Sequence, residues 1–330
     1  MGFYTIKILN IQLLKYNYIV FNYNMRAILF PGQGSQYVGM GLDFYKKFDL
    51  VKKIFKDADE SVGFPLSKII LEGPEEDLKL TQNTQPAIMI VGVSIFKVLN
   101  EEFGFNLNES RFFAGHSLGE YTAHVCAGSL AIEDAAYILK ERGKSMQEAV
   151  PLGEGSMLAV LGMTIDEVEK EIELLSKDSI CEISNDNSNS QVVVSGKSSD
   201  IRILSENLKK KKKKGILLPV SAPFHCSMMQ KAAELMEKKI SNINFTLPKP
   251  NIISNVTAKE ENDVNKFKLL LKNQITSRVR WRESLNYMIK EGVTNFLEIG
   301  PGKVLSGLVK KTNKNVTTLS INTLEDLKHD

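Results

Sequence analysis

The chain has 330 residues, of which 43% are apolar and 25% are charged, and its formal net charge at pH 7 is +3. This length fits one large domain or two ordinary ones, and the composition is typical of a globular protein, which excludes the disordered and fibrous classes. No apolar run is long enough to predict a transmembrane helix, and so small a net charge does not by itself indicate a nucleic-acid partner. Cys126, Cys181 and Cys226 lack C-x-x-C spacing and are interpreted as free thiols in a reducing compartment.

The first 24 residues differ in composition from the rest of the chain. No acidic residue precedes Asp43, and the stretch from Ile6 to Tyr23 is rich in Ile, Leu, Tyr and Asn. This pattern fits a targeting segment, although Lys15 interrupts the apolar core that a signal peptide needs. Residues 1–24 are therefore predicted to be a leader or a disordered extension, with an upstream start and a fold that begins at Met25 as the alternative.

A first buried strand is predicted at 26–30, and it leads into the glycine-containing loop 31–36. The loop is not a dinucleotide fingerprint, because Tyr37 stands where G-x-G-x-x-G requires its third glycine. Gln33 lies between two glycines at the end of the strand and is a candidate hydrogen-bond donor. The alternative is an ordinary surface turn.

Besides a helix at 120–127, three helices are predicted between residues 43 and 148. One amphipathic helix covers 43–60, and a buried helix that starts at 84–86, with Pro86 in its first turn, continues over 87–99. A helix at 133–148 contains Arg142, and the neighbouring glycine indicates a less solvated setting than is usual for a helical arginine.

The sequence Gly115-His116-Ser117-Leu118-Gly119 follows a predicted strand at 111–114 and precedes a predicted helix at 120–127. Strand, G-x-S-x-G and helix form the context of a nucleophile elbow, in which Ser117 stands at the tip of a tight turn. The N–H of Leu118 and the start of the helix then point to where an oxyanion forms. The alternative is a glycine-rich turn with a capping serine.

Residues 155–220 have a different pattern. Strands are predicted at 156–161, 181–184, 191–195 and 216–220, and helices at 164–176 and 199–210. The order βαββαβ is that of a ferredoxin-like unit, inserted here into a larger α/β domain. The six lysines Lys209–Lys214 end its last helix, either as a solvated helix end or as a docking patch for an acidic partner.

His225 follows a proline-fixed turn and precedes a helix predicted at 228–240. Of the four histidines in the chain, it is the best placed to act as a base for Ser117, whose hydroxyl is a poor nucleophile without one. Further strands are predicted at 251–254, 295–299 and 316–321, and further helices at 263–274 and 281–291.

Five motifs occur in order: Phe30-Pro31-Gly32-Gln33-Gly34-Ser35-Gln36, Gly115-His116-Ser117-Leu118-Gly119-Glu120, Arg142-Gly143-Lys144-Ser145-Met146-Gln147, Ala222-Pro223-Phe224-His225 and Glu298-Ile299-Gly300-Pro301-Gly302-Lys303. Together they resemble the malonyl-CoA:acyl carrier protein transacylases of type II fatty acid synthesis, from about Met25 to about Ile321. The predicted fold is α/β. An α/β-hydrolase-like large subdomain (25–154 and 221–330) carries the nucleophile elbow, and a ferredoxin-like small subdomain (155–220) is inserted into it.

The resemblance implies a role for each matching residue. Ser117 takes the malonyl group as an ester, and His225 acts as its base and later as the acid for the departing thiol. The main-chain carbonyl of Gln274 holds the other ring nitrogen, in place of the acid of a Ser-His-Asp triad. The N–H groups of Gln33 and Leu118 form the oxyanion hole. Arg142 binds the free carboxylate of malonate. His116 and Asn255 are supporting residues of the pocket.

The reaction implied is ping-pong, with malonyl-CoA as donor, the phosphopantetheine thiol of acyl carrier protein as acceptor, and no metal or redox cofactor. The acidic carrier protein needs a basic landing surface. The candidates are Lys310 and Lys311, Arg278 and Arg280, and Lys209–Lys214. A monomer is expected. The extension, the free thiols and the type II chemistry suggest a plastid-type organelle, with the cytoplasm as the alternative.

Two features depart from the family pattern. Phe224 stands where many bacterial relatives have serine and where malonyl-specific acyltransferase domains of polyketide synthases often have phenylalanine. We expect it to narrow the acyl pocket and to disfavour an α-methyl branch. The six-lysine run is unusual for the family and, with the Asn- and Lys-rich composition, indicates a biased genome more than a special site.

Three other functions are weighed against this reading. A serine esterase shares the elbow, but it has no need of a carboxylate clamp at Arg142. A degenerate transacylase could serve as a scaffold, although the complete residue set speaks against that. A transferase for another acyl group is the third, and Arg142 favours a substrate with a free carboxylate.

Overall fold

The computed structural model describes residues 25–327. The predicted leader or extension lies outside the described residues. Two sheets organise the described part of the chain, one of six strands and one of four.

The large sheet has the order β10-β9-β1-β2-β7-β8. Strands β1 (Arg26–Phe30), β2 (Phe112–Gly115), β7 (Asn251–Ile253), β9 (Asn295–Ile299) and β10 (Thr317–Ile321) run parallel, and only β8 (Glu260–Glu261) is antiparallel. Strands β1, β2 and β9 are buried along their whole length, as expected for a parallel sheet covered on both faces. Since parallel strands end on one edge, the loops after β1, β2 and β7 lie side by side there.

The helices around the large sheet are α1 (Leu42–Lys47), α2 (Asp49–Val62), α3 (Leu66–Glu72), α4 (Glu75–Lys79), α5 (Thr81–Lys97), α6 (Leu118–Cys126), α7 (Ile132–Glu148), α10 (Gln230–Ile240), α11 (Val264–Asn273), α12 (Trp281–Lys290) and α13 (Val304–Thr312). Helix α5 is buried on nearly every face, because it packs between α6 and α7 in the main apolar core. None of the helices described between residues 25 and 327 is both long and apolar enough to cross a membrane.

The small sheet is antiparallel and has the order β4-β5-β3-β6. Its elements follow the chain as β3 (Gly155–Leu161), α8 (Ile165–Glu173), β4 (Cys181–Ser188), β5 (Gln191–Lys197), α9 (Ser198–Lys210) and β6 (Lys214–Leu217). This is the predicted βαββαβ order. Helix α8 begins with a capping box, in which Thr164 and Glu167 bond reciprocally. Ten buried residues form a separate core beneath this sheet.

Several sequence predictions of element boundaries are wrong. The helix predicted at 43–60 is broken at Phe48, whose extended backbone lets its ring pack against Phe103. The buried helix begins at Thr81, so Pro86 lies inside it and not in its first turn. Strand β4 continues to Ser188 through residues predicted to form a turn.

The added residues of β4 pair with β5 and also bond to the large unit. The N–H of Asp186 donates to the carbonyl of Val279 at 2.9 Å, and the N–H of Val279 donates to the carbonyl of Ser184 at 2.8 Å. The Asp186 side chain is fully buried and accepts a bidentate pair of bonds from Arg282 on α12. These contacts fix the small sheet against the large unit next to the loops at the end of its parallel strands.

Candidate active site

The G-x-S-x-G turn forms an elbow between β2 and α6. A Cβ atom added to Gly115 would lie 1.9 Å from the carbonyl carbon of Gly119, and one added to Gly119 would lie 2.3 Å from the carbonyl oxygen of Phe30. No side chain fits at either position. Between them Ser117 has φ 55° and ψ −109°, a conformation that L-residues rarely adopt. The strained turn therefore presents the serine at the end of the strand.

The loop that carries Gln33 lies against this elbow. A Cβ atom added to Gly32 would lie 2.7 Å from the carbonyl oxygen of His116, so the two loops touch through their main chains. Within residues 25–327, no main-chain carbonyl accepts a hydrogen bond from the N–H of Gln33 or of Leu118. Leu118 is the first residue of α6, where the helix itself leaves N–H groups unpaired. Both donors are available to a bound oxygen.

Ser117 and His225 are 108 residues apart in sequence, and the fold joins them. The Oγ of Ser117 lies 2.8 Å from Nε2 of His225, and the Nδ1 of the same ring lies 2.7 Å from the main-chain carbonyl oxygen of Gln274. Because a carbonyl can only accept, Nδ1 carries the proton and Nε2 is free to accept one from the serine. Burial lowers the pKa of His225 to about 3, and the charge of Arg142 acts in the same direction. The ring is therefore a neutral base.

Arg142 lies beside the nucleophile and is only 1% exposed. Its Nη2 donates to Oγ of Ser117 at 3.1 Å and to Oε1 of Gln274 at 2.8 Å, and its Nη1 donates to Oε1 of Gln85 at 2.7 Å. The guanidinium also lies over the ring of Tyr121, 5.7 Å from its centre. Among the described residues, no carboxylate forms an ion pair with Arg142. A buried cation beside the serine thus has only neutral partners, a setting that favours a carboxylate on the substrate.

Asn255 lies behind the elbow. Its Oδ1 accepts from the N–H of Ser117 at 2.7 Å, and its Nδ2 donates to the carbonyl of Gly115 at 2.8 Å. The residue is 1% exposed. Its amide therefore bonds the backbone of the turn on both sides of the serine, as in a residue that holds Ser117 in position. That Asn255 contributes to the substrate pocket stays a prediction.

His116 connects the elbow to the small sheet. Its Nε2 lies 2.9 Å from Oδ1 of Asn187 on β4, and its ring centre lies 5.4 Å from that of Trp281. Burial lowers its pKa, so the neutral form is favoured. Phe224 is buried in the main apolar core directly before His225. Their contribution to substrate binding stays a prediction.

Sequence reasoning missed three polar groups that the fold brings to the site. They are Gln85, the side chain of Gln274, and Glu120, a buried carboxyl that accepts from Gln274 and from the N–H of Asn255. The available signal was a polar residue in a mostly apolar helix, which holds for Glu120 in α6 and, more weakly, for Gln85 in α5. Among residues 25–327, no group of three or more His, Cys, Asp and Glu side chains is arranged to hold a metal ion.

Comparison with known proteins shows the family to which the chain belongs. A family model for the acyl transferase domain matches residues 28–327. The malonyl CoA-acyl carrier protein transacylase of Bacillus subtilis is 41% identical over 303 residues, which are 91% of this chain and 94% of that protein. The crystal structure of the malonyl CoA-acyl carrier protein transacylase from Clostridium perfringens has a TM-score of 0.87 at 41% identity, and the match covers 92% of this chain and 94% of that one.

A structure of a type II PKS acyl-carrier protein in complex with its malonyl-transacylase contains a chain that is 35% identical to this one, with a TM-score of 0.88. The match covers 92% of this chain and 98% of that chain. The family model, the identity over nearly the whole length and the shared fold point the same way. The chain belongs to the acyl transferase family, among its malonyl CoA-acyl carrier protein transacylases.

Proposed function

We propose that the enzyme transfers the malonyl group from malonyl-CoA to the phosphopantetheine thiol of acyl carrier protein, for fatty acid synthesis, through an ester on Ser117. The observation that carries this proposal is the position of Arg142. Its guanidinium lies 3.1 Å from the oxygen that receives the acyl group and has no carboxylate partner among the described residues. A malonyl thioester bound with its carbonyl at Ser117 places a free carboxylate within reach of that cation.

In the first half-reaction, Nε2 of His225 takes the proton from Ser117 as its oxygen attacks the thioester carbonyl. The developing oxyanion is stabilised by the N–H groups of Gln33 and Leu118, and one such donor is typically worth ~2.7–4 kcal/mol. The carbon–sulfur bond then breaks, and His225 returns the proton to the sulfur of CoA. The products are malonyl-Ser117 and free CoA.

In the second half-reaction the phosphopantetheine thiol takes the place of CoA. His225 removes the thiol proton, the sulfur attacks the ester carbonyl, and Ser117 leaves with the proton. Since the thioester formed resembles the thioester consumed, the free energy of the overall transfer is near zero. The enzyme therefore chiefly has to keep water from hydrolysing the ester on Ser117. These steps call on no metal or redox cofactor.

We propose a division of labour between two subdomains. Residues 25–154 and 221–330 are the α/β-hydrolase-like subdomain that carries the catalytic residues, and residues 155–220 are the ferredoxin-like subdomain that covers them. The bond between His116 and Asn187 and the separate apolar core of the small sheet support this boundary. A monomer is the proposed assembly, which sedimentation of the purified chain tests.

Phe224 is proposed to narrow the acyl pocket, because it is a large buried ring next to the catalytic base. We expect malonyl-CoA to be turned over in preference to methylmalonyl-CoA, and Phe224→Ser to reduce that preference. Equal turnover of the two substrates by the unaltered enzyme would rule the idea out.

The carrier protein is proposed to dock on exposed basic side chains. Lys209–Lys214, Lys310 and Lys311 are exposed, and of these Lys211 pairs with Glu171. Arg278 and Arg280 are less exposed and pair with Glu283. Transfer to the carrier is therefore expected to weaken with added salt more than acylation by malonyl-CoA does, since screening acts on the charged protein surfaces. An equal salt response of the two half-reactions argues against a basic docking surface.

We propose a plastid-type organelle as the location, with the cytoplasm as the alternative. The composition of residues 1–24 and the type II chemistry support it. Fusion of residues 1–24 to a fluorescent protein tests it, because an organellar leader redirects the reporter and any other extension leaves it in the cytoplasm.

The central experiment is intact-mass analysis after mixing the enzyme with malonyl-CoA. A malonyl adduct is expected on the unaltered protein, absent from Ser117→Ala and scarce on Arg142→Ala. Release of free malonate without an adduct would favour a hydrolase. No adduct and no turnover would favour a scaffold, and an equally fast adduct with acyl-CoAs that lack a carboxylate would favour a transferase for another acyl group.

A further inference from the structure

A buried carboxyl group stands behind the catalytic residues and has no part in the transfer steps above. Glu120 lies in the first turn of α6 and is 2% exposed. Its Oε2 accepts from Nε2 of Gln274 at 2.6 Å and from the N–H of Asn255 at 3.0 Å. Burial raises the pKa of Glu120 to about 7, while those two hydrogen bonds and the charge of Arg142 act in the opposite direction.

The contacts of Glu120 set the orientation of the Gln274 side chain. The Nε2 of Gln274 faces two acceptors, Oε2 of Glu120 and the carbonyl of Ser117 at 3.1 Å. Its Oε1 then faces Nη2 of Arg142, which can only donate. Rotating the amide by half a turn would bring its NH₂ group against the guanidinium and its oxygen against the carboxyl group. Glu120 is therefore the acceptor that makes the amide oxygen available to Arg142.

Glu120 is the acid that this chain of contacts links to Arg142. Burial lowers the pKa of Arg142, and the charges of Tyr121 and Glu120 act in the opposite direction. A direct ion pair would occupy the guanidinium and compete with a substrate carboxylate. One intervening amide leaves the cation partly compensated and its outer N–H groups available.

We propose that Glu120 is a positioning residue that acts through Gln274 to orient Arg142 toward Ser117 and to hold its charge ready for a substrate carboxylate. The inference deepens the proposed function and rests on the clamp role given there to Arg142. It assigns Glu120 to the choice of acyl group and not to bond breaking, because the group touches neither Ser117 Oγ nor the ring of His225.

The test compares the rates at which malonyl-CoA and acetyl-CoA acylate Ser117, measured by intact mass at pH 8, where the carboxylate form of Glu120 predominates. The variant Glu120→Gln can keep both hydrogen bonds through its amide oxygen but loses the charge. We expect the malonyl-to-acetyl ratio of kcat/KM to fall about tenfold, mainly through KM for malonyl-CoA, as loss of one charge-assisted contact implies. The matched control is Glu141→Gln, which makes the same change in the residue next to Arg142 in sequence. Glu141 pairs with Lys239, so this variant should keep the malonyl-to-acetyl ratio of kcat/KM.

A second variant covers the case in which Glu120→Gln does not fold. Gln274→Met removes the side-chain amide, keeps the main-chain carbonyl that holds His225, and should lower the same ratio. An unaltered ratio in folded Glu120→Gln, or equal losses with both acyl groups, would overturn the proposal, since Glu120 would then be structural or act on the base.

The Arg142→Ala arm separates this proposal from the function on which it rests. If the unaltered enzyme shows no preference for malonyl-CoA, or if Arg142→Ala keeps that preference, the clamp itself is wrong. If the unaltered enzyme prefers malonyl-CoA and Arg142→Ala loses that preference, the proposed function stands. If Glu120→Gln then keeps the preference of the unaltered enzyme, the role proposed for Glu120 is wrong.

Discussion

The loops at the end of the large parallel sheet and the small antiparallel sheet follow opposite rules. At the former, Ser117 and His225 have positive φ angles, and a buried arginine has no acidic partner at ion-pair distance among the described residues. In the small sheet, α8 begins with a complete capping box, the core is apolar, and the lysines of α9 point into solvent. Two residues with strained backbones and a buried arginine without an acidic partner thus meet where the reaction takes place, whereas the buried charge of the small sheet, Asp186, is paired with Arg282.

The largest effect that tests this contrast is the loss of the base. His225→Ala is expected to slow formation of malonyl-Ser117 by about 10²–10⁴-fold, because a positioned general base contributes that much. The measurement is rapid-quench intact mass with malonyl-CoA. The control is Ser195→Ala, which removes a buried hydroxyl from the small sheet and should leave the rate unchanged. A His225→Ala enzyme as fast as the unaltered protein contradicts the assignment.

A second test compares one glycine from each region. Gly119→Ala forces a Cβ atom to 2.3 Å from the carbonyl oxygen of Phe30, so the main chain must shift, and we expect a loss of about 3 kcal/mol in unfolding free energy. Gly215→Ala on β6 meets only the end of the Leu158 side chain, at 3.2 Å, and should change stability by less than about 1 kcal/mol. Urea unfolding measures both, and similar losses would remove the contrast.

The smallest effect concerns a buried histidine that takes no part in the reaction. Burial lowers the pKa of His124 to about 3, and its ring packs edge-on against Phe267 at 4.8 Å. A lowered pKa in the folded state means that the unfolded chain binds more protons below pH 6.5, so the unaltered protein loses stability as the pH falls from there toward 3.

His124→Phe removes this proton-linked loss. Between pH 7.5 and pH 5 its unfolding free energy should fall by about 2 kcal/mol less than that of the unaltered protein. Urea unfolding at the two pH values provides the measurement, and each protein serves as its own control at pH 7.5. Parallel pH dependences of the two proteins would place the titrating group elsewhere.

The sequence predicts the strands of the large sheet well, because short runs such as 26–30 and 295–299 are apolar throughout and lie beside glycine or proline. It fails where distant contacts decide. The break at Phe48 comes with a ring contact to Phe103, and the end of β4 is bonded to Val279 and Arg282, which are about 100 residues away, besides its pairing with β5. Local patterns carry no information about such partners.

The site shows the same limit. The elbow can be read from five residues, since strand, turn and helix are all local. The pairing of Ser117 with His225, by contrast, joins residues 108 apart; the local pattern offers His225 only as the best placed of four histidines, and the resemblance to a family assigns it the role of base. The hydrogen-bonding of the Gln274 side chain was invisible, because an amide shows its orientation only when its donors and acceptors are in place.

The neutral setting of Arg142 has a consequence for how acyl preference can change. Replacing the arginine with an apolar residue leaves Glu120 buried without a nearby cation, and such an acid takes up a proton and presents a new donor to Gln274. On the role proposed for Glu120, an enzyme adapted to uncharged acyl groups has no further use for that carboxylate, so we expect the two positions to change together. A single substitution at either position is expected to lower the free energy of unfolding, because it leaves one buried charge or acid without its compensation.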